Sequence, residues 1–202
     1  MNKSFIIKII VICLVTIKVS AIEKVILFGD SLMAGYGLPN EKHLSVVLQR
    51  NLVSEGHNIE VVNGSVSGST SAGGLNIAEW TLTESDIDLM ILCLGANDML
   101  RGINPKETKN NLEKIIKIAK DKDITVIIAG MIAPISYGLN YKQTFDKIFA
   151  DLAKKYELQL VPFLLEGVAQ KPEFNLSDGM HPNDQGTIII SNTLKEAILK
   201  NL

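Results

Sequence analysis

Five short, mainly apolar segments recur along the chain. They are residues 24–28, 59–62, 89–94, 125–129 and 158–161. Near-continuous apolar runs of this length are typical of strands buried on both faces of a parallel sheet, because such strands have no solvent-facing side. The pattern therefore predicts five parallel strands.

The longer stretches between these segments repeat their apolar residues at helical spacing. This spacing occurs in residues 42–55, 106–120 and 141–156, and again after Pro182. Strands that alternate with helices predict an α/β fold, here a three-layer α/β/α sandwich with right-handed crossovers. By analogy with flavodoxin-like doubly wound sheets, we expect the strand order 2-1-3-4-5.

The first 21 residues differ in pattern from the rest. Residues 1–21 contain an apolar run that ends in small residues at Ala21, which indicates a secretory signal peptide. The alternative is a retained membrane anchor, but the run carries Lys8 and Lys18 and is shorter than the roughly 20 apolar residues a span needs. We therefore expect a single domain over residues 22–202, secreted or periplasmic, without stable membrane insertion after signal removal.

Composition narrows the classes of partner. Hydrophobic residues make up 47% and charged residues 21%, which fits a globular domain and neither a disordered chain nor a multi-span membrane protein. A formal charge of -2 provides no positive field to attract nucleic acid. Cys93, the cysteine that remains after signal removal, lies in an apolar run and is read as core rather than as a nucleophile. We expect a monomer that takes a small-molecule substrate.

In an open parallel sheet, ligands lie outside the carboxyl ends of the strands, so we expect the functional residues in the loops there. Of three histidines, His43 and His57 fall in or beside the first predicted helix, which isolates His181. Asp178, three residues earlier, can accept a hydrogen bond from the Nδ1–H of His181 and leave Nε2 free as a base. The alternative is a pair that merely caps the last helix, whose first turn Pro182 would occupy.

Three further segments bring hydrogen-bond donors to the same edge. Ser31 follows the first strand, and the alternative for it alone is a helix N-cap. Gly68 lies in a glycine-rich and serine-rich loop, and Asn97 ends the third strand. The backbone N–H groups of Ser31 and Gly68 and the amide of Asn97 could converge on a tetrahedral oxyanion. The neighbouring Asp30 and Asp98 are interpreted as loop-bonding residues.

These four blocks, in this order, resemble the GDSL or SGNH hydrolase family. Residues 29–32 read Gly-Asp-Ser-Leu, Gly68 matches the glycine block, residues 95–98 read Gly-Ala-Asn-Asp, and residues 178–181 read Asp-Gly-Met-His. The loop around Gly68 is similar to that of the periplasmic thioesterase, lysophospholipase and arylesterase subgroup. The middle position after Gly68 is Ser69, where the family often has an acidic residue.

The resemblance implies an acyl-enzyme route without metal or cofactor. Ser31 would be the nucleophile, His181 the base, Asp178 its partner, and Ser31, Gly68 and Asn97 the oxyanion hole. From the residues themselves, no histidine or cysteine cluster has metal spacing, and no glycine loop has the full dinucleotide or phosphate-loop pattern.

The substrate is indicated by apolar residues around the expected mouth of the site. Leu75, Ile77, Ile132, Pro134 and Tyr137 would suit an acyl chain better than a sugar, the alternative being that they pack against the domain. Hydrolysis of acyl esters or thioesters is thus the leading hypothesis. A carbohydrate O-deacetylase and a non-enzymatic flavodoxin-like binding module are the competing ones.

Overall fold

The strands form one parallel sheet in the order β2-β1-β3-β4-β5, as predicted. The computed structural model describes residues 22–83 and 86–202, so the signal peptide predicted over residues 1–21 lies outside the described residues. Each strand begins and ends within one residue of its predicted bounds. The strands are β1 (Lys24–Gly29), β2 (Glu60–Asn63), β3 (Leu89–Cys93), β4 (Thr125–Ala129) and β5 (Gln159–Val161).

Burial explains why the central strands are apolar throughout. Every residue of β3 is buried, and in β1 only Lys24 is not. The two strands pair in parallel, with Ile26 opposite Met90 and Phe28 opposite Leu92. Because both strands are covered on both faces, a polar side chain in either would lose its hydration without gaining a partner. The sheet is therefore the centre of the hydrophobic core.

Helices cover both faces and complete the three-layer sandwich. Helix α2 packs against α7, α3 against α5, and α5 against α6. The seven helices within the described residues are α1 (Ser31–Ala34), α2 (Leu44–Ser54), α3 (Ser71–Thr81), α4 (Ala96–Leu100), α5 (Pro105–Asp121), α6 (Leu139–Tyr156) and α7 (Asp184–Leu199). No helix there is long and apolar enough to cross a membrane.

Three of these helices, α1, α3 and α4, follow β1, β2 and β3 in segments where the apolar spacing predicts no helix. Helix α3 begins after Thr70, whose hydroxyl accepts a hydrogen bond from the N–H of Gly73 and so caps the first turn. A Cβ on Gly74 would lie 2.3 Å from Leu94 Cδ1, so the glycine lets the helix approach the sheet closely. Gly73 and Gly74 have low helix propensity, so the local sequence does not indicate a helix. Tertiary packing stabilises the helix nevertheless.

The start of α7 also differs from the expectation. Pro182 does not lie in its first turn, since the helix begins at Asp184. Asn183 is the N-cap and accepts hydrogen bonds from the N–H groups of Gln185 and Gly186. Asn183 thus caps the helix, and Asp178 and His181 are not its capping residues.

Candidate active site

A chain of two hydrogen bonds joins Ser31, His181 and Asp178 at the carboxyl end of the sheet. Ser31 is the first residue of α1, directly beyond β1. Its Oγ lies 2.9 Å from His181 Nε2, and His181 Nδ1 lies 2.7 Å from Asp178 Oδ2. A carboxylate is only an acceptor, so Nδ1 carries the proton and Nε2 accepts from the serine hydroxyl. This is the tautomer in which Nε2 can take a proton.

The loop that holds His181 is organised around Asp178. Asp178 Oδ1 accepts hydrogen bonds from the N–H groups of Met180 and His181, at 2.9 and 3.0 Å. The backbone bonds from His181 and Met180, followed by the bond from the His181 ring, lower the pKa of Asp178 to about 2. Gly179 has a φ of +69°, which permits this tight turn. The carboxylate therefore stays ionised and orients the imidazole.

Three donors face the same cavity as Ser31 Oγ. Ser31, Gly68 and Asn97 all line it, together with His181. Among residues 22–83 and 86–202, the backbone N–H groups of Ser31 and Gly68 donate to no protein acceptor. Gly68 lies in a turn closed by a 3.0 Å bond from Ser69 N to Val66 O, and its φ of +79° favours glycine. These two N–H groups are thus available to a ligand.

Asp30 orients the third donor. It is only 1% exposed, and its two oxygens accept hydrogen bonds from Leu32 N at 3.1 Å and Asn97 Nδ2 at 3.2 Å. Because a carboxylate accepts only, it holds the nitrogen of the Asn97 amide rather than the oxygen towards itself. Burial raises the pKa of Asp30 to about 6, although the bonds from Leu32 and Asn97 lower it. Asp30 thus forms hydrogen bonds within the loop region, as the sequence predicts.

Two contacts tie the Gly68 segment to α4, the helix that carries Asn97. Buried Asp98 accepts hydrogen bonds from Ser71 N at 2.7 Å and from Thr108 Oγ1 at 3.0 Å. On the outside, the Arg101 guanidinium donates to Gly68 O at 2.9 Å. The loop is thereby held to α4 at Gly68 and at Ser71. The spacing between the Gly68 N–H and the Asn97 amide is a consequence of these links.

The cavity beside the serine has a volume of about 1050 Å³. Much of its wall is apolar, and two of the residues that the sequence indicated, Ile132 and Pro134, belong to it. Further apolar walls are Met99, Met131, Phe163 and Leu165. Polar residues also line it, among them Lys142, Glu166, Gln170 and Lys171. A cavity of this size with mainly apolar walls suits a drug-sized or lipid-like ligand.

The other three residues expected to bind substrate do not line this cavity. Leu75 and Ile77 lie in α3 and pack, half-buried, against the hydrophobic core. Tyr137 packs on the core as well, with its ring centroid 5.6 Å from that of Tyr141. These three residues are therefore not part of the cavity wall. For Leu75 and Ile77 the reason is that the segment after Gly68 is a helix packed on the sheet and not an open loop.

Comparison with known proteins places these features in a family. The model of the GDSL-like Lipase/Acylhydrolase family matches residues 27–187. The chain is 38% identical to an arylesterase of Vibrio mimicus, over 90% of this chain and 91% of that protein. It is 33% identical to the thioesterase 1/protease 1/lysophospholipase L1 of Escherichia coli K12, over 84% of this chain and 80% of that protein.

Solved structures agree with the sequence comparisons. The crystal structure of TesA matches with a TM-score of 0.84 and 32% identity, over 89% of this chain and all of that one. AlinE4, an SGNH-hydrolase family esterase, matches with a TM-score of 0.75 and 37% identity, over 90% of this chain and 97% of that one.

The chain belongs to the GDSL-like lipase/acylhydrolase family. The resemblance inferred from the four sequence blocks is thereby confirmed, as is the three-layer fold. The protein is accordingly a serine esterase or thioesterase of this family and not a flavodoxin-like binding module.

The structure of this family member also reveals cavity residues that sequence reasoning missed. Phe163 and Leu165 come from an irregular segment after β5, for which no pattern indicated a role. Tyr36 lies next to His181, and its position between two glycines was the only local signal. Within the described part of the chain, no group of three or more His, Cys, Asp or Glu residues could hold a metal ion.

Proposed function

We propose that Ser31, His181 and Asp178 are the catalytic triad of a hydrolase that cleaves carboxylic esters and thioesters through an acyl-enzyme. The observation that carries this proposal is the pair of contacts at His181, 2.9 Å to Ser31 Oγ and 2.7 Å to Asp178 Oδ2. Both are within hydrogen-bond range, and together they give a nucleophile, a base and a group that orients the base.

In the first half-reaction, Ser31 Oγ attacks the acyl carbon while His181 Nε2 takes its proton. Asp178, ionised because of its low pKa, stabilises the imidazolium that forms. The oxyanion is bound by the N–H groups of Ser31 and Gly68 and by the Asn97 amide, donors that are in place before charge develops. The proton then passes to the leaving group, whose bond to the acyl carbon breaks.

In the second half-reaction, water takes the place of the serine hydroxyl. His181 removes a proton from water, the hydroxide adds to the acyl carbon, and Ser31 leaves with the proton from His181. The oxyanion donors act again. No group beyond these residues and water is needed to balance the reaction.

The cavity supports an apolar acyl group as substrate. Its wall at Met131, Ile132 and Phe163 would bury hydrocarbon, whereas a sugar needs a polar surface with many hydrogen-bond partners. The relatives named arylesterase and thioesterase/lysophospholipase are consistent with an acyl substrate. These observations favour acyl ester or thioester hydrolysis over carbohydrate O-deacetylation.

The sequence supports a proposal for the cellular location of the protein and for its partner. The proposed signal peptide of residues 1–21 supports a secreted or periplasmic protein whose mature chain begins at Ile22. The formal charge of -2 supports a small-molecule partner rather than nucleic acid. We propose that it acts as a monomer. Mass spectrometry of the exported protein tests the cleavage site, and residues 1–21 on that protein would contradict it.

A fluorophosphonate probe tests the nucleophile. Ser31→Ala should abolish both labelling and turnover, while Ser67→Ala, at another serine of the same cavity, should still be labelled. Labelling of the Ser31→Ala protein at a different serine would refute the triad. A series of p-nitrophenyl esters and acyl thioesters of increasing chain length, with acetylated sugars beside them, tests the substrate class.

A further inference from the structure

Tyr36 lies at the mouth of the cavity, in contact with His181. The two ring centroids are 4.4 Å apart and the ring planes are inclined by 37°. The side chain is 52% exposed although it is large and aromatic, and it lines the same cavity as Ser31 and His181. The mechanism above gives it no role.

The backbone holds Tyr36 in place from both sides. Gly35 and Gly37 have φ values of +83° and +75°, a region that favours glycine. A Cβ on Gly35 would lie 2.5 Å from the His43 ring, and a Cβ on Gly37 would lie 2.7 Å from Leu176 Cδ1. The backbone that carries Tyr36 is therefore constrained on both sides by closely packed glycines.

The chemistry of acyl transfer identifies which part of a substrate meets this ring. His181 Nε2 must hand its proton to the leaving group, so the leaving atom lies within hydrogen-bond distance of Nε2. The carbonyl oxygen points the other way, towards the donors of Gly68 and Asn97. A ring 4.4 Å from the imidazole that lines the same cavity as Ser31 is within reach of a leaving group held at Nε2.

We propose that Tyr36 is a specificity-determining residue that binds the leaving group and favours flat aromatic alcohols over aliphatic ones. This inference rests on the proposed triad. A phenyl ring can stack on Tyr36 while its oxygen stays near His181, and offset or tilted aromatic pairs gain more than area burial alone provides. Met180, also about half exposed, lies beside His181 in the cavity wall and adds a polarisable contact.

The separation of acylation from deacylation tests this role. The leaving group is present only in acylation, so Tyr36 should affect that step alone. Phenyl butyrate and cyclohexyl butyrate form the same acyl-enzyme and have leaving groups of similar size, of which one is aromatic. Tyr36→Leu should lower kcat/KM for the phenyl ester about 3- to 10-fold more than for the cyclohexyl ester. Tyr36→Phe should retain the preference.

Two controls make the result specific. Trp80→Leu removes an aromatic side chain that is 82% exposed and outside the cavity, and it should leave both esters unaffected. Decay of the preformed butyryl-enzyme in water, followed in a single turnover, gives the deacylation rate, which should be equal in wild type and Tyr36→Leu. Fluorophosphonate labelling of Ser31 confirms that the variant is folded.

Other outcomes would overturn the inference. An equal loss for both esters, or deacylation slowed by the same factor as acylation, would mean that Tyr36 supports His181 and does not bind the leaving group. Loss of the preference in Tyr36→Phe would assign the effect to the hydroxyl. If the wild type hydrolysed neither ester and Ser31 were not labelled, the proposed function itself would fail, a result distinct from these.

Discussion

Two carboxylates serve the same site from opposite environments. Asp30 is 1% exposed at the end of β1, and burial raises its pKa to about 6. The Asp178 side chain is 34% exposed in a loop, and bonds from His181 and Met180 lower its pKa to about 2. Burial fixes the geometry in which Asp30 holds Asn97. Solvent and backbone donors keep Asp178 ionised beside His181, which takes up a proton in the proposed mechanism. Orientation and charge are thus supplied by different residues.

Loss of the charge at Asp178 should have the largest effect. Asp178→Asn replaces an acceptor with an amide that can donate to Nδ1, which favours the wrong histidine tautomer. We expect kcat to fall by about 1,000- to 10,000-fold, as triads of this type do when the acid is amidated. Stopped-flow measurement of p-nitrophenol release tests this. A loss below about tenfold would show that Asp178 only shapes the loop.

Removal of the oriented amide should cost less. Asn97→Ala deletes one of the proposed oxyanion donors, so acylation should slow by about 100- to 1,000-fold with little change in substrate binding. Single-turnover kinetics separate the two effects. Near-normal acylation would reduce Asn97 to a loop residue, and loss of activity only through unfolding, detected by circular dichroism, would do the same.

Asp30→Asn tests the other carboxylate without removing Asn97. The new amide still has an oxygen to cap α1, but its nitrogen would face the Asn97 nitrogen, so Asn97 gains by turning its oxygen towards it. That turn would remove the oxyanion donor and slow acylation by about 10- to 100-fold. The double variant Asp30→Asn/Asn97→Ala should then be no slower than Asn97→Ala alone. Independent, multiplicative losses would show that Asp30 does not act through Asn97.

Arg101 should have a smaller effect, since it acts on Gly68 through an exposed bond. Arg101→Met removes the donor to Gly68 O, and we expect kcat to fall about 3- to 10-fold with KM almost unchanged. Arg50 provides a matched control, because it is also exposed and donates to a backbone carbonyl, that of Glu41, at 3.3 Å. Equal effects of Arg50→Met and Arg101→Met would contradict the positioning role.

Ionisation of Asp30 and of Asp178 should make the free energy of unfolding depend on pH in opposite directions. The folded-state pKa of Asp30 lies above its ordinary value of 3.8, so its contribution to stability is lost as the pH rises from 3.8 through about 6. That of Asp178 lies below, so its contribution is lost as the pH falls from 3.8 to about 2. The wild type should therefore lose about 2 to 3 kcal/mol of stability between about pH 4 and pH 7 that Asp30→Asn keeps, so the free energy of urea unfolding of Asp30→Asn should rise by that amount relative to wild type.

A flat difference over that range would contradict the buried, ionisable state of Asp30. The corresponding variant Asp178→Asn should show its pH-dependent difference only below about pH 4, where the wild-type carboxylate gains its proton. The same urea titrations measure both. If the stability difference changed below pH 4 for Asp30→Asn and between pH 4 and pH 7 for Asp178→Asn, burial would not explain the different pKa values of the two carboxylates.

The features that depend on short-range patterns along the chain could be predicted from the sequence. The strands are continuous apolar runs, and residues 178–181 form a contact over three positions, so both could be predicted from the printed chain. Ser31 could be placed near His181 because parallel strands end at one edge of the sheet. The directions in which the site's side chains point depend on nonlocal contacts, so they could not be predicted from the sequence.

The errors have a common physical cause. Helix α3 was missed because Gly73 and Gly74 weaken its local signal, while its stability comes from Thr70, from Asp98 and from close packing on the sheet. Leu75 and Ile77 were misplaced for that reason. Phe163 and Leu165 reach the cavity from a segment without periodicity, so their role depends on where the rest of the fold places them.

Cys93 has a practical consequence for the study of this protein. It is the only cysteine after residue 21, it is 1% exposed at the end of β3, and burial raises the pKa of its thiol. A thiol reagent can therefore reach it only when the centre of the sheet opens. Pulse labelling of Cys93 would count molecules that have opened globally, without an introduced probe, and compare that population among the active-site variants.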